Sequence, residues 1–216
     1  MGLSWGRLWH RYVFSFKLPA RHMGLADMPT ATELKLNDAA TQMRLAIEHG
    51  DSEEVFRSCI NSYLSASRSV TMIMEKESKN SHPDLFEWYE TQSTKLGEVP
   101  LFQFFNSQRV FSIHRGVVEP SRKQWKVENV RLVSNPTSGE GRALTGSWDV
   151  LSDVSPGGVG DVVTLLPDGT MTAWVFDGFE SVWPHHSGNV LSVCEMHFLV
   201  LKGIVHGWLR ERARLS

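Results

Sequence analysis

Arg109 and His114 have the plainest capacity for chemistry in this chain. They lie in Phe104-Phe105-Asn106-Ser107-Gln108-Arg109-Val110-Phe111-Ser112-Ile113-His114-Arg115-Gly116, with four residues between them. A guanidinium is a permanent cation whose planar fork suits a phosphate. An imidazole, with an ordinary pKa of about 6.5, exchanges protons near neutrality. With no carboxylate cluster beside them, the two suit metal-independent phosphodiester cleavage better than metal catalysis. Five helical steps turn by about 140°, so in a regular helix the two side chains do not share a face. The reading therefore needs Gly116 to leave His114 in a fraying last turn, where the long Arg109 side chain swings round to meet it. The negative end of the helix dipole there favours imidazolium. A structural role, with Arg109 bridging helices and His114 satisfied locally, stays open on sequence grounds.

The surrounding charge fits an anionic partner. Between Asn106 and Arg131 stand six basic residues (Arg109, Arg115, Arg122, Lys123, Lys126, Arg131) and two acidic ones (Glu119, Glu128), in a chain of net charge −2. Bulk charge thus excludes a general polyanion binder, and any nucleic-acid contact has to come from a local patch. For Arg122 to Arg131 a solvated loop face is the simpler reading.

The elements that must position the pair are helical. Leu36, Ala39, Ala40, Met43, Ala46 and Ile47 recur at helical spacing up to His49, and Gly50 stops that helix. Asp51-Ser52-Glu53-Glu54 has the form of a capping box. It opens a long helix to about Lys79 with the stripe Phe56, Ile60, Tyr63, Leu64, Ser67, Val70, Ile73, Met74. Its many small serines predict close approach by other helices and a place at the centre of a bundle. Asp84 is the expected N-cap of a third helix carrying Leu85, Trp88, Tyr89 and Leu96. Leu101 to His114 is a fourth, rich in Phe, with Gly116 as its stop.

The period then changes. Gln124–Val133, Arg142–Leu151, Val159–Leu165 and Met171–Phe176 read as strands, with a hairpin turn at Pro167-Asp168-Gly169-Thr170. A closing helix from about Asn189 to Arg214, with the stripe Val190, Cys194, Phe198, Leu201, Val205, Trp208, is expected to return to the bundle. The expected fold class is mainly α, a helical bundle with a small antiparallel β-sheet inserted before the C-terminal helix. Residues 32–118 and 186–216 form the bundle, and 119–185 the insert. Residues 1–31 read as a leader, basic and aromatic, with Met23 or Met28 as competing starts to Met1.

The 216 residues are 41% hydrophobic and 21% charged, which excludes a disordered or collagen-like chain. No run reaches 18 consecutive apolar residues, so no membrane partner is expected. Two distant cysteines, Cys59 and Cys194, give no disulfide framework and fit a reducing, cytoplasmic setting. Cys194 and His197 share a helix face near His185-His186, but nothing completes a zinc set, and neither metal nor cofactor is expected. The Gly-rich turns at 139–141 and 157–160 precede strands rather than helices and are not phosphate loops. The insert's Trp125, Trp148 and Trp174 read as sheet aromatics rather than base-stacking platforms.

An Arg, four to six residues, then a His at the end of a bundle helix resembles the HEPN superfamily. The segment Phe56 to Glu77, followed by Phe86-Glu87-Trp88-Tyr89, is similar in pattern to bacterial members, and the resemblance covers residues 36–116 and 189–214. It implies a four-helix bundle. Many members are metal-independent ribonucleases of toxin–antitoxin, abortive-infection and other defence systems. It also implies a homodimer, with RNA and an antitoxin or other protein as partners. Arg109 would bind the scissile phosphate and stabilise its developing charge, while His114 would activate the ribose 2′-hydroxyl or protonate the leaving oxygen. Two positions depart from the pattern. Val110 stands where active members usually carry a polar residue, which argues against catalysis. Gly116 stands where members silenced by nucleotidyltransferase antitoxins carry Tyr. The resemblance thus supports two functions: a metal-independent endoribonuclease, or a non-catalytic RNA- or protein-binding module using the same cleft.

Overall fold

The computed structural model describes residues 28–126, 130–134, 142–146, 164–165, 170–183 and 188–216. Residues 1–27, on which most of the leader reading falls, lie outside these. So do both Gly-rich turns, His185-His186 and Trp148. The fold is mainly α, with a small antiparallel β region before the C-terminal helix. The helices are α1 (Ala31–Glu48), α2 (Glu53–Ser81), α3 (Pro83–Glu98), α4 (Pro100–His114) and α5 (Val190–Leu215).

Local chemistry sets the helix ends. The capping box forms at Thr30 rather than at Asp51. The Thr30 hydroxyl accepts from the Glu33 N–H, and the Glu33 carboxylate accepts from the Thr30 N–H at 2.8 Å. Bundle structure therefore begins inside the segment read as leader. Glu77 of α2 fastens that end by accepting from the Thr32 hydroxyl at 2.6 Å and the Ala31 N–H at 3.2 Å. At α2, Ser52 is the N-cap and makes no side-chain cap bond. At α3, His82 replaces Asp84 as N-cap, its Nδ1 accepting from the Asp84 N–H. Pro83 takes the first helical position, where its missing N–H costs nothing. This moves Asp84 into the first turn, where its charge suits the dipole.

α2 is the central helix and packs against all four others. Its Phe56, Ile60, Tyr63, Leu64, Val70 and Met74 are buried. α5 returns onto the bundle as its periodicity predicts, burying Val190, Cys194, Phe198, Leu201, Val205 and Trp208. It is long and apolar enough to cross a membrane by length and composition, and while one face is in the bundle core, Leu199 and Val200 are exposed. The Trp208 indole N–H donates to Ser78 Oγ at 2.8 Å, and Ser78 donates in turn to the Met74 carbonyl. A buried indole N–H without an acceptor would be costly, so one small serine on α2 fixes where α5 lies.

The strands are β1 (Ser121–Lys126), β2 (Val130–Ser134), β3 (Arg142–Gly146), β4 (Thr164–Leu165) and β5 (Thr170–Val175). They make two sheets, one ordered β1-β5-β4 and one pairing β2 with β3. The segment Gln124–Val133, read as one strand, thus contributes to two strands in different sheets. β4 and β5 pair antiparallel, Leu165 opposite Met171, as the hairpin reading requires. The described part of the insert packs directly on the bundle. Trp174 stacks on Phe56 of α2, with ring centroids 5.1 Å apart, and donates to the Gly50 carbonyl at 2.8 Å. Phe176 and Phe179 belong to the bundle's own core. The chain enters α5 through Gly188, whose φ of +70° strains any side chain and where a Cβ would lie 3.1 Å from the Phe176 carbonyl oxygen.

Candidate functional site

Arg109 stands on α4, half-buried, and lines a groove of about 240 Å³ enclosed by α2, α3, α4 and α5. α4 is oriented by Phe104 and Phe105, both buried and in edge-to-face contact with Phe176 of the insert. On the α2 side, Leu64, Ser67, Arg68 and Thr71 follow one another at helical spacing along the wall. Ser67 and Thr71 donate their hydroxyls to the carbonyls of Leu64 and Arg68. Arg68 donates to Thr71 Oγ1 at 3.1 Å. Two guanidinium groups, Arg68 and Arg109, therefore line one groove. No Asp or Glu lines it, and neither arginine forms an ion pair among the described residues.

His114 is elsewhere. α4 stays helical to its last residue, and the Arg115 and Gly116 N–H groups both donate to the Phe111 carbonyl, at 2.8 and 3.2 Å. Gly116 then turns the chain with φ +143°, a value L side chains rarely adopt. Asn61 of α2 clamps the exit, donating to the Val118 carbonyl and accepting from its N–H, each at 3.0 Å. The last turn is thus closed by hydrogen bonds, and the rotation of about 140° between the two positions is kept. His114 is exposed, does not line the groove, and shares no hydrogen bond with Arg109. The convergence required at a fraying tip is absent within one chain.

The histidine in Arg109's groove is His197 of α5, which is buried. Its ring stacks on Phe105 with centroids 4.0 Å apart and planes at 14°, and Phe102 lies 4.5 Å away. Its Nδ1 lies 2.9 Å from the Tyr63 hydroxyl, and that hydroxyl also donates to the Cys194 carbonyl at 2.9 Å. Burial pushes the His197 pKa down to about 3, so the ring is neutral at physiological pH. Burial also pushes the Tyr63 phenol and the Cys194 thiol up, so neither ionises there. Cys194 and His197 are therefore parts of a packed, hydrogen-bonded core, and the described residues hold no cluster of metal-ligating side chains.

Sequence reasoning found Arg109 and passed over Arg68 and Tyr63, while His197 was weighed only as a metal ligand. One signal pointed to the groove: Ser67 and Thr71 interrupt the apolar stripe of α2 just where Arg68 stands. Comparison with known proteins adds no relative: no family model, no curated protein and no solved structure matches the chain.

Proposed function

We propose that this chain is a HEPN-like helical bundle that binds RNA through the α2–α3–α4–α5 groove, with Arg109 and Arg68 on the phosphate backbone. The observation that carries this is a groove with two guanidinium groups and no carboxylate in its lining. Such a lining attracts an anion, and arginine engages phosphate oxygens with two parallel N–H donors. Phosphate contacts supply affinity without reading sequence. The test is fluorescence anisotropy with labelled single-stranded and hairpin RNAs over a salt series in EDTA. Arg109→Ala and Arg68→Ala should each weaken binding uniformly across sequences and lower the salt slope by about one. Unchanged affinity in both variants overturns the reading.

The exposure of His114 favours a second reading, metal-independent RNA cleavage in a homodimer. Its imidazole is open to solvent beside the exposed apolar residues Val110, Phe111 and Ile113, a surface on which a second copy could bring His114 to the first copy's Arg109. The 2′-hydroxyl would then lose its proton to one chain's imidazole as its oxygen attacks phosphorus. The P–O5′ bond would break to leave a 2′,3′-cyclic phosphate, and the 5′-oxygen would take up the proton from the imidazolium. The other chain's guanidinium would stabilise the phosphorane charge. Mixing inactive Arg109→Ala and His114→Ala proteins should restore part of the cleavage by forming one intact composite site. Cleavage absent from the wild type removes this reading and leaves the binding module.

A further inference from the structure

We propose that His197 accepts a hydrogen bond from a ribose hydroxyl in this groove, so that the site takes a ribose phosphate and discriminates RNA from DNA. The proposal rests on the RNA-binding reading above and adds what the groove recognises besides charge.

The argument begins with one proton. The Tyr63 hydroxyl has a single hydrogen and two partners, the Cys194 carbonyl and His197 Nδ1, each at 2.9 Å. A carbonyl only accepts, so both contacts are hydrogen bonds only when the phenol donates to Cys194 and a protonated Nδ1 donates to the phenol oxygen. We take that tautomer. Nε2, the nitrogen that Tyr63 does not hold, is a bare acceptor and the only polar atom the ring can offer the groove it lines. Phe105 against one ring face and Phe102 nearby hold the imidazole plane in place.

A neutral ring with a bare nitrogen cannot donate to a phosphate oxygen, so anion binding falls to Arg68 and Arg109. The ligand must therefore present two things side by side: anionic oxygens, and an O–H or N–H donor. In a nucleic-acid backbone the 2′-hydroxyl is that donor, and it is the group by which proteins tell RNA from DNA. Ser67 and Thr71 donate within their own helix, and their hydroxyl oxygens keep lone pairs, that of Thr71 accepting from Arg68. Ser93, Gln103 and Asn106 are exposed. His197 is the acceptor of the lining whose ring plane is held by two aromatic side chains. About 240 Å³ holds one sugar with its phosphate and excludes a duplex.

The test uses the full chain and fluorescein-labelled tetranucleotides of one sequence in three forms: ribo, deoxy and 2′-O-methyl. The ribo form should bind roughly tenfold more tightly than both others, as one well-placed hydrogen bond predicts. His197→Phe keeps an aromatic ring between Phe102 and Phe105 and removes the acceptor. It should bring ribo affinity down to the deoxy value. Tyr63→Phe, which frees the tautomer, should narrow the preference. Equal wild-type affinity for all three forms, with Arg109→Ala still weakening each, overturns this inference and spares the binding reading. Failure of the wild type to bind any form overturns both. If His197→Phe shows no cooperative thermal transition, Tyr63→Phe decides, and an undiminished ribo preference in that variant overturns the inference.

Discussion

Tyr63 and His197 lie 134 residues apart in sequence and 2.9 Å apart in the bundle interior. One hydroxyl joins the central helix α2 to the returning helix α5, and in the proposal above it leaves Nε2 as the acceptor toward the groove that Arg68 and Arg109 line.

Removing that hydroxyl should be felt in folding. Tyr63→Phe keeps the ring packing on Phe105 but removes the hydroxyl partner of His197 Nδ1 and the second hydrogen bond of the Cys194 carbonyl, which keeps its bond within α5. Leaving buried groups without partners costs about 1–3 kcal/mol. The midpoint of urea unfolding should fall with an unchanged m-value. An unmoved midpoint would show that Tyr63 holds neither group.

Stability should depend on pH through His197. The folded ring titrates at about 3 and the unfolded one near its ordinary 6.5, because burial disfavours the charged form. Above about 6.5 both states are unprotonated there, and the contribution is fully present. As pH falls from about 6.5 towards 3, only the unfolded state takes up the proton, so stability drops by about 1.4 kcal/mol per pH unit at the steepest. Tyr63 and Cys194 beside it stay protonated throughout. Urea midpoints measured between about pH 7.5 and pH 4.5 should fall more steeply for the wild type than for His197→Phe. Parallel slopes would refute the assignment.

The Trp208–Ser78 contact predicts a second core effect. Ser78→Ala removes the acceptor of a fully buried indole N–H, at about 1–3 kcal/mol. For a chain of this size that lowers the melting temperature by several degrees. Scanning calorimetry decides it, and an unchanged melting temperature would mean that Trp208 finds another acceptor.

Beside Ser78 near the C-terminus of α2, Glu77→Gln should loosen α1. The carboxylate accepts from Ala31 and Thr32 at the positive end of the α1 dipole, and loss of its charge there costs about 0.3–1 kcal/mol. Hydrogen exchange at the N-terminal amides of α1 should quicken by a few-fold while the α2 core amides stay protected. Uniform acceleration across both helices would instead mean that Glu77 supports the whole bundle.

Much of the scaffold was legible residue by residue. The apolar stripes of α2 and α5 are periodic, and side chains three and four apart share a face whatever the rest of the chain does. Helix starts were read less well. The caps expected at Asp51 and Asp84 stand instead at Ser52 and His82, and the capping box forms at Thr30, because loop geometry decides which side chain reaches the free N–H groups. The strands were partly legible: the β4–β5 hairpin followed from its turn residues, while the division of Gln124–Val133 between two sheets depends on partners distant in the chain.

Sequence alone determined the order of helices, the faces they bury, the β region before the last helix, and the angular offset between Arg109 and His114. All of these follow from geometry within a few residues of one backbone. Tertiary structure alone decided that Arg109 shares its groove with Arg68 and His197, and that His114 stays outside. That choice rests on how four helices cross. The crossing is set by the total packing of side chains such as Trp208 against Ser78 and His197 against Phe105, and no single segment of the chain contains it.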